Sequence, residues 1–235
     1  MKKLLIASTS TVHGKGYLEY ILPELSTFFK GVNEILFIPF ARPSGISHDD
    51  YTEIAKKAFE KVNITVRGLH EFNNKIDALN SCKGIFIGGG NTFLLVKQLY
   101  AYKLISTLKN VVENGVPYFG TSAGSNIAGV TMENTNDMPI IYPPSFKTLS
   151  FINFNLNPHY LDPDPSSKHM GETRETRINE FHKVKEIPVL GLREGSWLDV
   201  KGSKIVLKGD LNARLFQVDK KPIELPPLTD LSYLM

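Results

Sequence analysis

The stretch "YFGTSAGSN" (residues 118–126) decides the fold, because it places a lone hydroxyl on a tight corner between a strand and a helix. An apolar strand precedes the corner, and a segment of small residues begins at Ala123. Gly120-Thr121-Ser122-Ala123-Gly124 fits G-x-S-x-G, the nucleophile elbow, in which a strained strand-to-helix turn exposes a serine hydroxyl. Larger side chains at the two glycines would clash with neighbouring backbone. The alternative is a glycine-rich turn whose serine caps the helix.

Strand-like and helix-like segments alternate around this corner throughout the first half of the chain. Apolar runs predict buried strands at 3–9, 34–40, 64–69, 84–89 and 116–121. Helical spacing of apolar residues predicts helices at 16–29, 49–62, 91–102 and 103–115. This order predicts an α/β fold with a doubly wound, mostly parallel sheet that carries helices on both faces. Catalytic loops in such a fold follow the carboxyl ends of the strands.

The second half of the chain is less regular. Its patterns predict a short strand at 138–142, a helix at 171–184, a buried strand at 187–194 and a β-hairpin at 197–209 that turns at 201–203. The hairpin is expected as a small extension of the α/β fold. No repeat, low-complexity tract or linker divides the sequence, so residues 1–235 are expected to form one domain.

Composition narrows the class of function. The chain has 235 residues, 42% hydrophobic and 22% charged, with a net charge of +3 and no long basic run, so a nucleic-acid partner is not expected. The single cysteine, Cys82, fits a reducing compartment. The first apolar run is too short for a signal peptide, and no stretch approaches the roughly 20 apolar residues of a membrane span. A cytoplasmic protein that does not associate with membranes is expected.

A serine nucleophile needs a base, and the base needs a carboxylate that orients it. His159 follows Pro158, which fixes the local backbone as an aimed side chain requires. Glu194 ends the predicted strand at 187–194, so it is expected on the same rim as Ser122. The order Ser, His, acid differs from that of α/β-hydrolases. Three other carboxylates compete for the orienting role: Asp137, Asp162 and Asp164.

The stretch "IFIGGGNTF" (85–93) supplies a second glycine-rich turn. Three glycines between a strand and a helix expose backbone N–H groups at the helix N-terminus, where an anion can bind. The turn is expected to hold a substrate carboxylate or to add an oxyanion donor to the N–H of Ala123. Nucleotide binding is not indicated, since neither G-x-G-x-x-G nor a P-loop lysine is present.

Five segments in a fixed order resemble one known family: "GGGNTF", "GTSAGSN", "NPHYLD", "HMGETRETRI" and "GLREGSWL". They are similar to peptidase E, the α-aspartyl dipeptidase family of serine peptidases, and the likeness runs from the first strand to about Leu198. The resemblance implies a class I glutamine amidotransferase-like fold, with serine where those enzymes carry cysteine. It also implies hydrolysis of dipeptides with an N-terminal aspartate (Asp-Xaa), in the cytoplasm, without a metal or other cofactor.

The resemblance also implies roles for individual residues. Ser122 would be the nucleophile, His159 the general base and then acid, and Glu194 the orienting carboxylate. The remaining implied positions are the oxyanion-hole residues Gly89, Gly90 and Ala123 and the substrate-binding residues Asn91, Arg174 and Arg177. Of the two arginines, Arg174 fits the family pattern better as the group that grips the substrate aspartate. The protein is expected to be a monomer or a homodimer.

Three alternatives remain open at the level of sequence. The first is a cyanophycinase-like hydrolase of the same broad group, which would split a β-aspartyl-arginine polymer. The second is a non-catalytic module that holds an anion on the two glycine turns. The third is a metal hydrolase built on "HYLDPDPSSKH", with ligands drawn from His159, Asp162, Asp164 and His169.

Overall fold

Five adjacent parallel strands make up most of the larger of two β-sheets in the computed structural model, which describes residues 1–43, 45–164, 166, 168 and 170–235. These strands are β1 (Lys3–Ala7), β2 (Glu34–Ile38), β3 (Thr65–Gly68), β4 (Ile85–Ile87) and β5 (Tyr118–Thr121). The hairpin strands β8 (Ser196–Lys201) and β9 (Lys204–Gly209) continue the sheet on the far side of β1. The order is β3-β2-β4-β5-β1-β8-β9, so the predicted hairpin is part of the main sheet.

Helices cover both faces of this sheet. They are α1 (Leu22–Phe28), α2 (His48–Glu60), α3 (Lys75–Ser81), α4 (Thr92–Ala101), α5 (Ile105–Glu113), α6 (Ala123–Asn126) and α7 (Arg174–Phe181). Single 3₁₀ turns lie at Glu19–Ile21, Leu69–Glu71 and Ser232–Leu234. On one face, α1 and α2 pack on an aromatic layer that includes Phe37, Phe86 and Phe119. On the other face, α4, α5 and α6 pack on Ile38, Ile87 and Tyr118. The doubly wound, mostly parallel architecture is confirmed.

A second sheet of four strands was not anticipated. It contains β6 (Asn155–Pro158), β7 (Val189–Leu192), β10 (Ala213–Phe216) and β11 (Ile223–Leu225), in the order β11-β10-β7-β6. The strands β6 and β7 are parallel, and the other pairs are antiparallel. The predicted strand at 187–194 therefore belongs to this second sheet, and the expectation that Glu194 shares a sheet edge with Ser122 is wrong. Two sheets meet at the site instead.

The structure also differs from the sequence analysis at three local points. The helix predicted from residue 16 begins at Leu22, because Pro23 suits the first turn of a helix and not its interior. The short helix α3 was missed. The strand predicted at 138–142 is absent, and the side chains of Met138 and Tyr142 are 74% and 81% exposed, so this apolar run does not enter the core.

Two findings concern the membrane-protein and metal-hydrolase classes that were considered from the sequence. Across the described part of the chain, no helix has both the length and the apolar character that a bilayer crossing needs. The same residues contain no group of three or more His, Cys, Asp or Glu side chains placed to hold a metal ion. His169, one of the ligands considered for a metal loop, lies outside the described residues.

Candidate active site

Ser122 lies on a strained corner between β5 and α6. Its backbone has φ 51° and ψ −109°, a conformation that residues with a side chain rarely adopt. The corner is closely packed, because a β-carbon on Gly120 would come within 2.6 Å of the Gly124 carbonyl oxygen, and one on Gly124 would collide with the carbonyl of Ile87. Ser122 occupies the N-cap position of α6, yet its side chain makes no capping hydrogen bond. The predicted elbow is present, and the helix-capping alternative is wrong.

The Ser122 hydroxyl begins a chain of two short hydrogen bonds. Its Oγ lies 2.9 Å from Nε2 of His159, and Nδ1 of His159 lies 2.6 Å from Oε1 of Glu194. A carboxylate can only accept, so Nδ1 carries the ring proton and Nε2 is left to accept from the serine. The three residues that the sequence singled out are therefore brought together in the order that nucleophilic catalysis requires.

The second sheet explains how His159 and Glu194 become neighbours. The strands β6 and β7 are parallel and pair Pro158 with Leu192, so the residues that follow their carboxyl ends lie side by side. His159 adopts φ 54°, a left-handed conformation, and the extended strand β6 ends just before it at Pro158. The side chains of His159 and Glu194 are 38% and 45% exposed, so the pair lies at the surface and is open to a substrate.

Each of the three competing carboxylates is engaged elsewhere. Asp162 forms two hydrogen bonds with Arg193, of 2.7 and 2.9 Å. Asp137 accepts a hydrogen bond of 2.7 Å from the backbone N–H of Thr92. Asp164 accepts hydrogen bonds within its own loop. Among the described carboxylates, Glu194 is therefore the one that forms a hydrogen bond with the ring of His159.

Tyr20 closes the side of the site next to Glu194. Its hydroxyl donates a 2.7 Å hydrogen bond to the carbonyl oxygen of Thr9, and its ring packs against Trp197. Burial raises the pKa of the Tyr20 phenol far above its usual value of 10, and the nearby charge of Glu194 adds to the rise. The phenol is therefore neutral at physiological pH and forms an uncharged wall beside the carboxylate.

Ser8 joins the two sheets directly beneath the site, and sequence reasoning missed it. Its fully buried side chain donates a 2.7 Å hydrogen bond to the carbonyl oxygen of Leu192 and accepts a 2.9 Å bond from the backbone N–H of His159. Its own N–H donates to the carbonyl oxygen of Ser196. One hydroxyl thus links β1 of the large sheet to the ends of β6 and β7. A polar residue directly after a buried strand was the available signal.

The glycine turn after β4 lies against the nucleophile. A β-carbon on Gly89 would fall 2.9 Å from Cβ of Ser122, and Gly90 has φ 143°, a conformation that favours glycine. The hydroxyl of Tyr51 donates a 3.1 Å hydrogen bond to the carbonyl oxygen of Gly89, which fixes the turn. No described residue accepts a hydrogen bond from the N–H of Gly89 or Gly90. Ala123 presents its N–H at the first position of α6.

Similarity to known proteins shows which family this chain belongs to. The model of "Peptidase family S51" matches residues 4–208. The chain belongs to peptidase family S51. A probable alpha-aspartyl dipeptidase of Drosophila melanogaster is 45% identical over 100% of this chain and 98% of its own length. Peptidase E of Streptomyces coelicolor is 47% identical over 99% and 94% of the two chains. The resemblance expected from the five sequence segments is confirmed.

Two solved structures are similar to this chain in fold. A putative peptidase E from Listeria monocytogenes superimposes with a TM-score of 0.68 at 20% identity and covers 89% of this chain and 98% of its own. A peptidase from an acI-B1 actinobacterium gives a TM-score of 0.71 at 14% identity and covers 98% and 96% of the two chains. At these identities the likeness concerns the fold alone, and it agrees with the α/β architecture of this S51 peptidase.

The three predicted substrate-binding residues differ in how free their side chains are. Asn91 of this S51 peptidase caps α4 by accepting from Leu94 N–H, and it donates to the carbonyl oxygen of Met138, so both of its polar ends have protein partners. Arg177 lies 3.5 Å from the carboxylate of Glu172. Arg174 begins α7 and forms no ion pair with a described residue.

Arg174 faces an open cavity of about 410 Å³ that Asp162, Thr173 and Arg177 also line. Burial lowers the pKa of Arg174 from its usual 12.5, and the neighbouring charge of Arg177 lowers it further, while the charge of Asp137 opposes the shift. A guanidinium keeps its proton in proteins. Arg174 is therefore a half-buried cation, and no carboxylate in the described part of the chain is in contact with it.

Proposed function

We propose that this chain is an α-aspartyl dipeptidase, a serine exopeptidase that hydrolyses dipeptides with an N-terminal aspartate. The observation that carries the proposal is the continuous hydrogen-bonded series from Ser122 through His159 to Glu194. Membership of family S51 and the names of the two long relatives, probable alpha-aspartyl dipeptidase and peptidase E, support the substrate class.

The chemistry follows from the protonation states. Ser122 Oγ attacks the peptide carbonyl carbon of the substrate aspartate while Nε2 of His159 takes the hydroxyl proton. The carboxylate of Glu194 holds the Nδ1 proton and stabilises the positive ring that forms. The ring then gives its proton to the leaving amine, and an aspartyl ester of Ser122 remains. Water, deprotonated by the same ring, hydrolyses the ester.

The developing oxyanion needs donors that are already in place. We assign this role to the N–H of Ala123 together with the turn at Gly89 and Gly90. Two observations support this assignment. Gly89 packs against Ser122, and the N–H groups of Gly89 and Gly90 donate to no described residue.

Specificity for aspartate needs a fixed cation, and we assign it to Arg174. A guanidinium can hold a carboxylate through two parallel hydrogen bonds. Arg174 is half-buried, and its charge is close enough to that of Asp137 to be influenced by it. Asp137 in turn lines the small cavity of about 20 Å³ to which Ser122 and His159 also contribute. Arg177 already lies close to the carboxylate of Glu172, so we assign it only a contribution to the positive electrostatic potential of the site. We assign Asn91 to holding the glycine turn and the Met138 loop, which shape the site.

Three broader expectations are part of the same proposal. We propose that residues 1–235 act as one domain, since the nucleophile comes from one sheet and the base and acid from the other. A single unfolding transition in far- and near-ultraviolet circular dichroism is the expected result. We also propose a cytoplasmic location and a monomeric or homodimeric state, which fractionation and sedimentation would check.

The proposal is tested by the kinetics of two dipeptides, Asp-Leu and Ala-Leu, on the parent enzyme and of Asp-Leu on the Ser122→Ala variant. Asp-Leu is expected to be cleaved at least about 100-fold faster, in kcat/KM, than Ala-Leu, and Ser122→Ala is expected to lose at least about 1,000-fold on Asp-Leu while it stays folded. Retention of more than about a tenth of the activity by Ser122→Ala, or equal cleavage of both dipeptides by the parent, would contradict the proposal.

Arg174→Ala tests the specificity assignment, and Arg177→Ala is its matched control on the same helix. The first variant is expected to lower kcat/KM for Asp-Leu about 100-fold, since it removes a charge-assisted bidentate contact. The control is expected to lose about threefold or less. Equal losses in the two variants would remove the distinction between these arginines.

A further inference from the structure

A second arginine faces an open cavity beside the glycine turn, and the mechanism above does not use it. Arg42 follows the end of β2, and with Tyr17, Ile46, Tyr51 and Ile54 it lines a cavity of about 360 Å³. Its guanidinium lies 4.6 Å from the centre of the Tyr51 ring. Its Nε is fully buried and has no hydrogen-bond partner among the described residues. A buried donor without an acceptor costs free energy, so the protein satisfies the guanidinium of Arg42 incompletely.

Tyr51 connects this cavity to the site. The tyrosine is 1% exposed, its ring lies against Arg42, and its hydroxyl donates to the carbonyl oxygen of Gly89. The turn at Gly89 packs on Ser122. The residue before Arg42, Ala41, accepts a 2.7 Å hydrogen bond from the N–H of Asn91, at the far end of the same turn. The glycine turn is thus held from the Arg42 side.

The cavity lies on the opposite face of the main sheet from the small cavity at Ser122. Tyr51, Tyr17 and Ile46 belong to the apolar layer under α1 and α2. Ala123, beside the small cavity at Ser122, belongs to the layer under α4 and α6. Ser122 lies between the two faces, at the top of the sheet. A dipeptide whose aspartyl half lies on the Ala123 side of Ser122 would place its leaving residue on the Arg42 side.

The distances fit a leaving group of one residue. β4 separates β2 from β5, and adjacent strands lie about 4.8 Å apart, so the ends of β2 and β5 are on the order of 10 Å apart, and Arg42 lies beyond the end of β2 at Ile38. One residue spans about 3.5 Å, and a long arginine side chain bridges the remainder. The α-carboxylate of the second residue is the charge that this arginine would meet. Tyr17, Ile46 and Ile54 surround it with apolar surface suited to an apolar side chain.

We propose that Arg42 is the carboxylate-binding residue of a subsite for the leaving residue, and that it selects dipeptides over longer or amidated peptides. The proposal rests on the dipeptidase function proposed above. A free α-carboxylate gives the guanidinium two charge-assisted hydrogen bonds. A further peptide bond or a terminal amide places a neutral group there and leaves the cation unmatched. Selection by length thus follows from the charge of the group that the leaving residue presents to Arg42.

The experiment compares Asp-Leu with Asp-Leu amide on the parent and on Arg42→Gln. The parent is expected to prefer the free acid at least about 10-fold in kcat/KM. In Arg42→Gln, this preference is expected to fall to about onefold, mainly through a higher KM for the acid, because the charge-assisted hydrogen bonds to the carboxylate are lost. Arg67→Gln is the matched control, since Arg67 also lies over an aromatic ring, that of Phe72, but on β3. It is expected to keep the parent's preference.

Binding of free leucine and leucinamide, measured by calorimetry, keeps this test separate from the proposed reaction. Leucine is expected to bind the parent more tightly than leucinamide, and Arg42→Gln is expected to abolish that difference. If the parent hydrolyses neither peptide, the proposed function fails while this comparison still judges the subsite. Equal binding of the two amines by the parent, or an acid-to-amide preference that Arg42→Gln leaves intact, would overturn the proposal.

Discussion

The two sheets position their catalytic candidates by different physical means. In the large sheet, Ser122 is fixed by backbone packing: Gly120 and Gly124 allow approaches that a β-carbon would prevent, and the corner is strained. In the small sheet, His159 and Glu194 are fixed by polar contacts at a partly exposed surface. Backbone packing holds one conformation firmly, whereas polar contacts can be removed one at a time.

Ser8 and Arg193 are the polar contacts that hold the second half of the site. Ser8 bonds to the backbone of His159 and Leu192. Arg193, next to Glu194, forms ion pairs with Asp162 and Glu224. It also donates a hydrogen bond to the backbone carbonyl oxygen of Asn212, just before β10. This difference between the sheets leads to a prediction. Single substitutions of polar side chains should misalign His159 and Glu194 and leave the Ser122 corner intact.

Glu194→Gln should have the largest effect on the small-sheet half. The amide can donate to the ring and so favours the wrong tautomer of His159, and it carries no charge to stabilise the positive ring. A loss of about 100- to 1,000-fold in kcat is expected, smaller than for a buried acid because the carboxylate is 45% exposed. Steady-state kinetics on Asp-Leu is the measurement, with exposed Glu186→Gln as control. A loss below about threefold would contradict the role of Glu194.

Ser8→Ala should come next, with a loss of about 10-fold in kcat and little change in KM. The substitution removes the acceptor for His159 N–H and the donor to the Leu192 carbonyl, so the ring moves relative to Ser122. Thr148→Val is the matched control, because it removes a buried hydroxyl that donates to the carbonyl oxygen of Gly129 over 2.7 Å. Both variants should lose similar stability, about 1 kcal/mol. If kcat fell equally in both, the hydroxyl of Ser8 would have no special place in the site.

Arg193→Gln should have the smallest effect on catalysis and a clear effect on acid stability. Hydrogen bonds from Arg193 hold the pKa values of Asp162 and Glu224 below their usual 3.8 and 4.5. The unfolded chain therefore binds more protons in that range, so this stabilisation is complete above the usual values and is lost as pH falls through the folded values. The expected loss at pH 7 is about 1 kcal/mol, because solvent screens these partly exposed carboxylates.

Denaturant titrations between pH 3 and pH 7 measure this effect as the free energy of unfolding. The parent should lose stability on acidification more steeply than Arg193→Gln, so the two curves converge at low pH. Lys201→Gln, which breaks an exposed pair with Asp199, is the control and should run parallel to the parent. Parallel curves for Arg193→Gln and the parent would contradict the role of this arginine.

Much of the site could be predicted from the sequence, because its signals are local. Ser122 stands in a five-residue pattern whose glycines have a steric reason, and Pro158 and Gly195 flank His159 and Glu194. The second sheet could not be predicted, since the strand at "NLNP" has four residues with a proline, and the strand at "ARLF" lies in a charged tail. The false strand at 138–142 shows the converse, an apolar run whose side chains stay exposed.

Ser8 and Arg42 were missed for another reason. Each follows a buried strand, as many polar residues do, and only the packing of the sheets shows what each side chain contacts. Ser8 matters because the end of β1 lies beneath β6 and β7. Arg42 matters because the end of β2 lies two strands from Ser122. Such relations depend on strand order, which the sequence does not state.

The central claim is that a serine from one sheet and a histidine from the other act as a single catalytic unit, and a double-mutant cycle tests it most directly. The measurement is kcat/KM on Asp-Leu for Ser122→Ala, His159→Ala and the double variant. Residues that act as a unit are strongly non-additive. The account predicts that the double variant is within about threefold of the worse single variant. Losses that multiply across the two sheets would contradict it.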